Sequence, residues 1–481
     1  MSLLNRREFL KTIAVSTMAG SLSCTSFPQP DSKGKYNVLF IAIDDLNDWV
    51  GCLGGHPDVK TPNLDKLASR GVNFTNAFCS APACNPSRVS LMTGILPSTS
   101  GVYLNSQPWR PVLSTAVTIP QHFMAHGYYA LGSGKIFHGP FPDPASWDDY
   151  WPAKNKQKPD DPAPAAEAMP LNGIPRTAHF DWGPLDVPNE EMGDWKVADW
   201  VIKQIQKDRD KPFFLGCGFY RPHLPWYVPQ KYFDMYPLDE ITLPNVNEND
   251  LDDVPQAGIN MARPQGDHTK VTNYKQWRKA VQGYLASISF TDDCVGRVID
   301  ALDESPYRDN TIIVLWSDHG WHLGEKLHWR KFALWEEATH NVLMFVAPGV
   351  TKTGRVCEAP VSLVDIYPTL IDLCGLKPKI ELQGQSLLPL LKNPGSVRKK
   401  PALTTHGRNN HTIRSKRWRY IRYADGSEEL YDHNKDPLEW TNLAGDSKYS
   451  KIKKELSVWL PNVNVPDAPK IKSRKKRRKK E

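Results

Sequence analysis

Cysteine is scarce in this chain. Eight are spread through 481 residues, at positions 24, 52, 79, 84, 217, 294, 357 and 374. None forms a C-x-x-C pair or zinc-finger spacing, which excludes a structural zinc site and argues against a disulfide framework. Mostly free, buried thiols are expected. Long apolar runs are also missing. The longest near the N-terminus, Thr12 to Leu22, is too short to cross a bilayer, and no later segment reaches that length. There is no internal repeat. The net charge of +7 is not spread over the molecule. Residues 472–481 hold eight basic residues and one acid, so the rest of the chain is neutral. A basic tail without any nucleic-acid-binding motif gives no ground for expecting nucleic acid as a partner. What remains, 40% hydrophobic and 23% charged, is ordinary globular composition in a chain long enough for a large domain and a smaller one.

The N-terminus reads as a targeting segment. Asn5-Arg6-Arg7-Glu8-Phe9-Leu10-Lys11 is similar to a twin-arginine export signal, so the protein is expected to be exported, periplasmic or secreted. Cys24 closes the apolar run, but Ser21 stands where a lipoprotein signal prefers Leu, and no lipid anchor is expected. The expected organisation is an export signal and linker over 1–34, a large main domain over 35–385, a C-terminal subdomain over 386–465 and a basic tail over 466–481. Continuous apolar runs at 37–43, 212–219, 311–316 and 342–346 predict strands buried on both faces. Thr61-Pro62 predicts a helix start, and a long amphipathic helix is predicted over about 275–303. The alternation predicts an α/β sheet with helices on both faces, whose chemistry gathers at the carboxyl ends of the strands. Residues 140–195 and 225–274 read as long irregular insertions of the kind that cover clefts. Arg417–Arg422, Ala424-Asp425-Gly426 and Glu428–Tyr431 read as a hairpin.

Two predicted strands end in carboxylate, at Asp44-Asp45 and at Asp318-His319. A lone Asp after a strand is commonly a turn former. Adjacent anions are costly unless a cation neutralises them. Carboxylates suit Ca²⁺ or Mg²⁺, whereas His319 is softer and fits a transition metal. The stretch Cys84-Asn85-Pro86-Ser87-Arg88, running on to Leu91-Met92-Thr93-Gly94, places a cysteine before a helix that Pro86 is suited to open. Arg88 then falls one turn later on the same face. A helix N-terminus favours an oxyanion, although a cysteine in such a place is commonly just a buried thiol.

These blocks come with others in order: Gly132-Ser133-Gly134-Lys135-Ile136-Phe137-His138, Tyr220-Arg221-Pro222-His223-Leu224-Pro225, Ser317 to Glu325 with Trp329-Arg330-Lys331, and Glu429-Leu430-Tyr431-Asp432 with Asp436-Pro437 and Asn442-Leu443. Over residues 36–460 the chain resembles the type I, formylglycine-dependent sulfatase family, and within it the iduronate-2-sulfatase-like subgroup. The resemblance implies an alkaline-phosphatase-like α/β fold, a large mixed sheet sandwiched by helices plus a smaller C-terminal α+β subdomain. It implies one Ca²⁺ bound by Asp44, Asp45, Asp318 and His319, with Cys84, converted to formylglycine, as a further ligand. His319 stands where many members have Asn. The resemblance further implies that Arg88 holds the hydrated nucleophile and that Lys135 contacts it and the sulfate. It makes His138 a proton acceptor, has His223 and Lys331 grip the sulfate, and makes His223 the acid that protonates the leaving alcohol. A maturing partner, a formylglycine-generating or anaerobic sulfatase-maturing enzyme, is implied as well.

His322, His328 and His340 are expected to be structural. His406, Arg408 and His411 precede the hairpin and are candidates for reading a uronate carboxylate. The expected substrate is a sulfated polysaccharide or its oligosaccharides, probed best among uronate-containing glycans such as ulvan or a glycosaminoglycan 2-O-sulfate. Two alternatives stay open from the residues alone: a phosphate or phosphonate monoester hydrolase of the same superfold, and an inactive glycan-binding protein.

Overall fold

A computed structural model describes residues 36–177 and 179–470. The segment expected to be an export signal, Cys24 and residues 471–481 of the basic tail lie outside the described residues. Eight strands form one sheet: β1 (Asn37–Ile43), β2 (Val72–Phe74), β3 (Tyr129–Gly134), β4 (Asp149–Trp151), β5 (Phe213–Phe219), β6 (Thr311–Ser317), β7 (Leu343–Val346) and β8 (Arg355–Cys357). Their order is β8-β2-β7-β6-β1-β5-β3-β4. Within this sheet β7 runs against its neighbours, and the pairs on the β6-to-β4 side are parallel. The sheet is therefore mixed, as expected.

β1 explains the layering. All seven of its residues are buried, because alternate side chains enter opposite cores. Leu39, Ile41 and Ile43 join Val197, Val201 and Ile205 and a row from Val281 to Leu302. Val38, Phe40 and Ala42 join Val89, Leu91, Met92, Ile366 and Leu370. The helices carrying these partners are α1 (Cys84–Thr93), α2 (Gly193–Ile205), α3 (Trp277–Asp303) and α4 (Ile366–Leu373). α3 matches the predicted amphipathic helix to within two residues at its start. The helix after Thr61 runs Pro62–Ala68.

Register sets the site. Ile43 pairs with Phe219 on one side and with Ser317 on the other. The three central strands thus end level, and Asp44, Tyr220 and Asp318 leave the sheet side by side. Two backbone bonds continue the ladder past the strand ends, from Asp44 N to the Phe219 carbonyl (3.2 Å) and from Asp318 N to the Ile43 carbonyl (3.3 Å). Gly134 of β3 pairs with Gly218 of β5, and the Lys135 amide donates to the Gly218 carbonyl at 2.8 Å. A Cβ on Gly218 would lie 2.4 Å from the Lys135 backbone, so glycine is required for that close approach.

A second sheet of four antiparallel strands follows: β9 (Ala402–Thr405), β10 (His411–Arg414), β11 (Trp418–Arg422) and β12 (Glu428–Asp432). β11 and β12 are the predicted hairpin. This sheet has its own core of Ile413, Tyr420 and Leu430, closed by Leu456. Buried polar contacts tie it to the segment after β6: Trp335 Nε1 donates to Glu429 (2.8 Å) and Arg419 Nη1 to the Leu334 carbonyl (3.0 Å). Beyond it, residues 465–468 run along the loop after α1. Val465 N donates to the Ser98 carbonyl (3.0 Å), Ala468 N to the Gly101 carbonyl (2.8 Å) and Gln107 Nε2 to the Ala468 carbonyl (2.8 Å). All seven described cysteines are free thiols. No helix among the described residues is long and apolar enough to cross a membrane.

Candidate active site

Cys84 is the first residue of α1, after an extended Ala83. Pro86 is the third helical residue, not the first as the sequence suggests. The first intrahelical bond runs from Ser87 N to the Ala83 carbonyl (3.1 Å), so a proline at 86 costs no hydrogen bond. Asn85 fixes this turn by donating through Nδ2 to the Leu104 (3.1 Å) and Gln107 (2.8 Å) carbonyls.

The Cys84 thiol is 1% exposed and faces a ring of charge. Lys331 Nζ is 2.9 Å from Sγ, His319 Nε2 3.4 Å and Lys135 Nζ 3.7 Å. Burial and Asp44 push the thiol up, yet Lys135 and Lys331 outweigh them and its pKa falls below the ordinary thiol value. The site favours an anion at position 84.

The carboxylates stand behind these cations. Lys331 Nζ donates to Asp45 Oδ1 at 2.6 Å, and Lys135 Nζ pairs with Asp44. Arg88, fully buried, bridges the acids: Nε donates to Asp318 Oδ2 (2.8 Å) and Nη2 to Asp44 Oδ1 (3.1 Å). Its Nη1 reaches the Lys135 (2.5 Å) and Ile136 (3.2 Å) carbonyls. The arginine predicted to hold the nucleophile thus has its hydrogen bonds directed at the frame around it. Burial opposes ionisation of Asp44, but Lys135, His223 and Arg88 hold it well below the carboxylate range. Asp45 is lifted to about 7, by burial first, against the pull of Lys331. Burial would lower His319, but Asp318 raises it to about 9.

The predicted metal ligands converge. Donor atoms of Asp44, Cys84, Asp318 and His319 lie within 4.8 Å of one another, as do those of Asp44, Asp45, Cys84 and His223. Asp45 Oδ2 is buried without a hydrogen-bond partner, and Asp45 holds a left-handed backbone (φ 59°) that turns it back into the site. Three carboxylates with one orphaned oxygen fit a hard divalent cation.

His223 and His138 border the same space. His223 Nδ1 lies 2.5 Å from the Leu224 carbonyl, and its Nε2 faces Asp45 Oδ2 at 3.8 Å. Burial, then Lys135, keep it neutral, well below the ordinary imidazole value. His138 is pushed down to about 3 by burial and then by Lys135 and Lys331, and its Nδ1 has no partner. The loop that carries His223 hangs on Asp194 of α2, whose carboxylate accepts from the Tyr220 and Arg221 amides (2.8 Å each).

The predicted carboxylate readers are not brought together. His406 lines a cleft beside Phe332. Arg408 instead donates to the Asn464 carbonyl (3.1 Å). His411 lies buried in β10 with its Nδ1 2.9 Å from Thr405 Oγ1, because its side chain falls on the covered face of the sheet. Neither lines that cleft. His328 is structural, as expected: its two ring nitrogens lie 2.7 Å from the Ala262 carbonyl and 2.8 Å from the Lys331 carbonyl. Sequence reasoning missed Asp194 and gave no role to Tyr220, over whose ring Lys135 Nζ lies at 5.3 Å. It also passed over Arg330, although that residue precedes Lys331 in a block already singled out.

Residues 36–376 match the family model described as Sulfatase, and residues 324–465 match that of the N-sulphoglucosamine sulphohydrolase C-terminal region. The chain is 39% identical over 459 residues to a sulfatase of Formosa agariphila, covering 90% of this chain and 87% of the other. It is 33% identical over 396 residues to human iduronate 2-sulfatase, covering 71% and 69%. Among solved structures, a phosphonate monoester hydrolase from Silicibacter pomeroyi superposes with a TM-score of 0.74 at 25% identity, covering 88% of this chain and 94% of that one.

Proposed function

Because the chain belongs to the sulfatase family and is a sulfuric ester hydrolase, we propose that it acts on a sulfated, uronate-containing oligosaccharide, after Cys84 has been converted to formylglycine. The observation that carries this reading is the ring around Sγ: two lysines and a histidine within 3.7 Å, at a helix N-terminus. A sulfate monoester is an anion, and an oxygen nucleophile is repelled by it unless fixed positive charge stands at the point of attack. The hydrated aldehyde of formylglycine supplies two hydroxyls, one to attack sulfur and one to expel sulfate afterwards. A Ca²⁺ held by Asp44, Asp45, Asp318 and His319 would add positive charge beside the transferring group.

The side chains divide the remaining work. Lys331 and Lys135 flank position 84 and stabilise charge on the sulfuryl oxygens. Arg88 locks Asp44 and Asp318 at fixed separation and anchors the 135–136 backbone, so that Lys135 does not swing. His138, neutral with a free Nδ1, accepts the proton released when sulfate is expelled. His223, beside Asp45 and one-quarter exposed (26%), stands where a leaving alcohol departs toward solvent; its Nδ1–H is held by the Leu224 carbonyl, so it serves as the acid only after Nε2 takes up a proton when the anionic ester lies beside it. General acid help of this kind adds about 10²–10⁴-fold. Similarity to an iduronate 2-sulfatase supports the uronate, and the twin-arginine-like N-terminus supports export.

The test is sulfate release from a panel of defined sulfated oligosaccharides, with the position of loss assigned by NMR, joined to peptide mass spectrometry at residue 84. Active protein is expected to carry formylglycine there. Full activity with an unmodified thiol would sink the mechanism. Turnover confined to phosphonate monoesters would replace the substrate reading by that of the structural neighbour.

A further inference from the structure

Next to the nucleophile lies a cleft of about 730 Å³ whose charge the reaction at sulfur does not use. Its walls carry Arg263, Lys270 and Arg330, with His406 and Asn410 opposite. Asp267 is the acid on its lining. That acid is already shared: Arg330 Nε donates to Asp267 Oδ2 at 2.5 Å, and Lys270 Nζ stands 4.0 Å from Oδ1. The Arg263 guanidinium, exposed at the rim, makes no hydrogen bond or ion pair among the described residues. Three fixed cations against one carboxylate leave the cleft positive.

Two of those cations sit on backbone that disfavours them. Arg263 has φ 52° and Arg330 φ 77°. Glycine or asparagine takes such positions at least cost, and non-glycine residues held there cluster at functional sites. Contacts also link the cleft to the catalytic centre. Arg330 Nη1 is 3.4 Å from His179 Nε2, the His179 ring stacks on that of His223 at 6.2 Å, and His223 faces Asp45. The residue after Arg330 is Lys331, at Cys84 Sγ. His328 ties the Lys331 carbonyl to that of Ala262, next to Arg263. Phe332, whose amide donates to the Pro82 carbonyl (3.1 Å), makes the wall between the two spaces with His406 (ring centroids 5.9 Å).

We propose that this cleft is the subsite for the sugar next to the sulfated one. It takes an anionic group of that sugar, a carboxylate or a second sulfate, through Arg263 with support from Arg330 and Lys270. The inference rests on the sulfated-oligosaccharide reading and deepens it: the substrate is polyanionic, and its second charge is recognised on the 263–270 insertion, not on the β9–β10 connection.

Binding separates this inference from the reading it rests on. The probes are two desulfated product disaccharides, one with a uronate carboxylate and one with a sulfate on the neighbouring sugar, each compared with its neutral counterpart. Calorimetry on the full chain needs no turnover. Wild-type protein is expected to prefer an anionic probe over its neutral counterpart, and the probe preferred identifies the group. Arg263→Asn, which removes the charge while suiting the left-handed backbone, is expected to shrink that preference by about 10–160-fold, the effect of one charge-assisted hydrogen bond. Lys270→Gln should shrink it less. No preference in wild type, or one that both variants keep, overturns the inference. Preference with the expected loss, in a protein that releases no sulfate from any ester, sustains the cleft and overturns the reading of the reaction.

Discussion

At Arg88 a buried guanidinium meets four acceptors on three segments of chain: two carboxylates and the carbonyls of residues 135 and 136. Lysine keeps the charge but not the planar fork. Arg88→Lys is therefore expected to fold yet lose about 10²-fold in kcat, the cost of a small misplacement of reacting groups, while Arg88→Met leaves buried carboxylates uncompensated and is destabilised by about 3–5 kcal/mol in urea unfolding. Asp45 is the second test at this scale, since its Oδ2 is buried and unpartnered. A calcium chelator is expected to abolish turnover and added Ca²⁺ to restore it, with one ion per chain by elemental analysis. Asp45→Ala should bind none. Stoichiometric zinc without calcium would overturn the assignment. The sequence shows these residue types at strand ends, but not that Arg88 serves the frame; that follows from how the end of β3 turns its carbonyls toward α1.

The elements that place His223 are α2 and the end of β5, joined through Asp194. Its carboxyl is raised from 3.8 to about 6, by burial first and then by Asp161, against Arg221. A raised folded-state value means that the native state holds the proton more firmly than the unfolded chain. The associated stability is present below pH 3.8 and is lost as pH rises through 6. Asp194→Asn removes that titration. The stability of wild type relative to the variant is expected to fall by about 2 kcal/mol between pH 4 and pH 6, out of about 3 kcal/mol over the full titration; a constant difference would place the ionised form on equal terms. β5 gives a second test. Gly218→Ala forces a Cβ into the Lys135 backbone, and overpacking of this kind costs about 1–3 kcal/mol. Thermal melting should show the loss, and kcat should fall with it because Lys135 moves.

At the scale of the whole molecule, the buried strands were legible because a strand covered on both faces needs an unbroken apolar run, as at 37–43 and 311–316. Cys84, the acids and both lysines that the fold brings together were legible as short blocks. The cleft was not. Arg330 meets Asp267 across 63 positions and His179 across 151, and such pairings arise from how insertions fold over the sheet. Arg408, nearer the hairpin in sequence, is drawn off by the Asn464 carbonyl. The run 465–468 was equally hidden. It supports Gln107, whose carbonyl in turn accepts from Asn85 in the first turn of α1. A chain ending at residue 461 is expected to keep its sheet, by circular dichroism, and to lose turnover by at least about tenfold through a loosened α1.

The depth of Cys84 also carries a clock. At 1% exposure no second enzyme reaches that thiol in the folded protein, so the conversion proposed above has to precede closure of the fold. Closure waits for β6, because β1 has no partner on that side until Thr311–Ser317 has been made. Roughly 230 residues separate Cys84 from the end of β6, and at about 5–20 residues per second the ribosome leaves the cysteine accessible for about 10–50 s. Slower translation of that stretch lengthens the interval, and the fraction of chains carrying the aldehyde should rise with it.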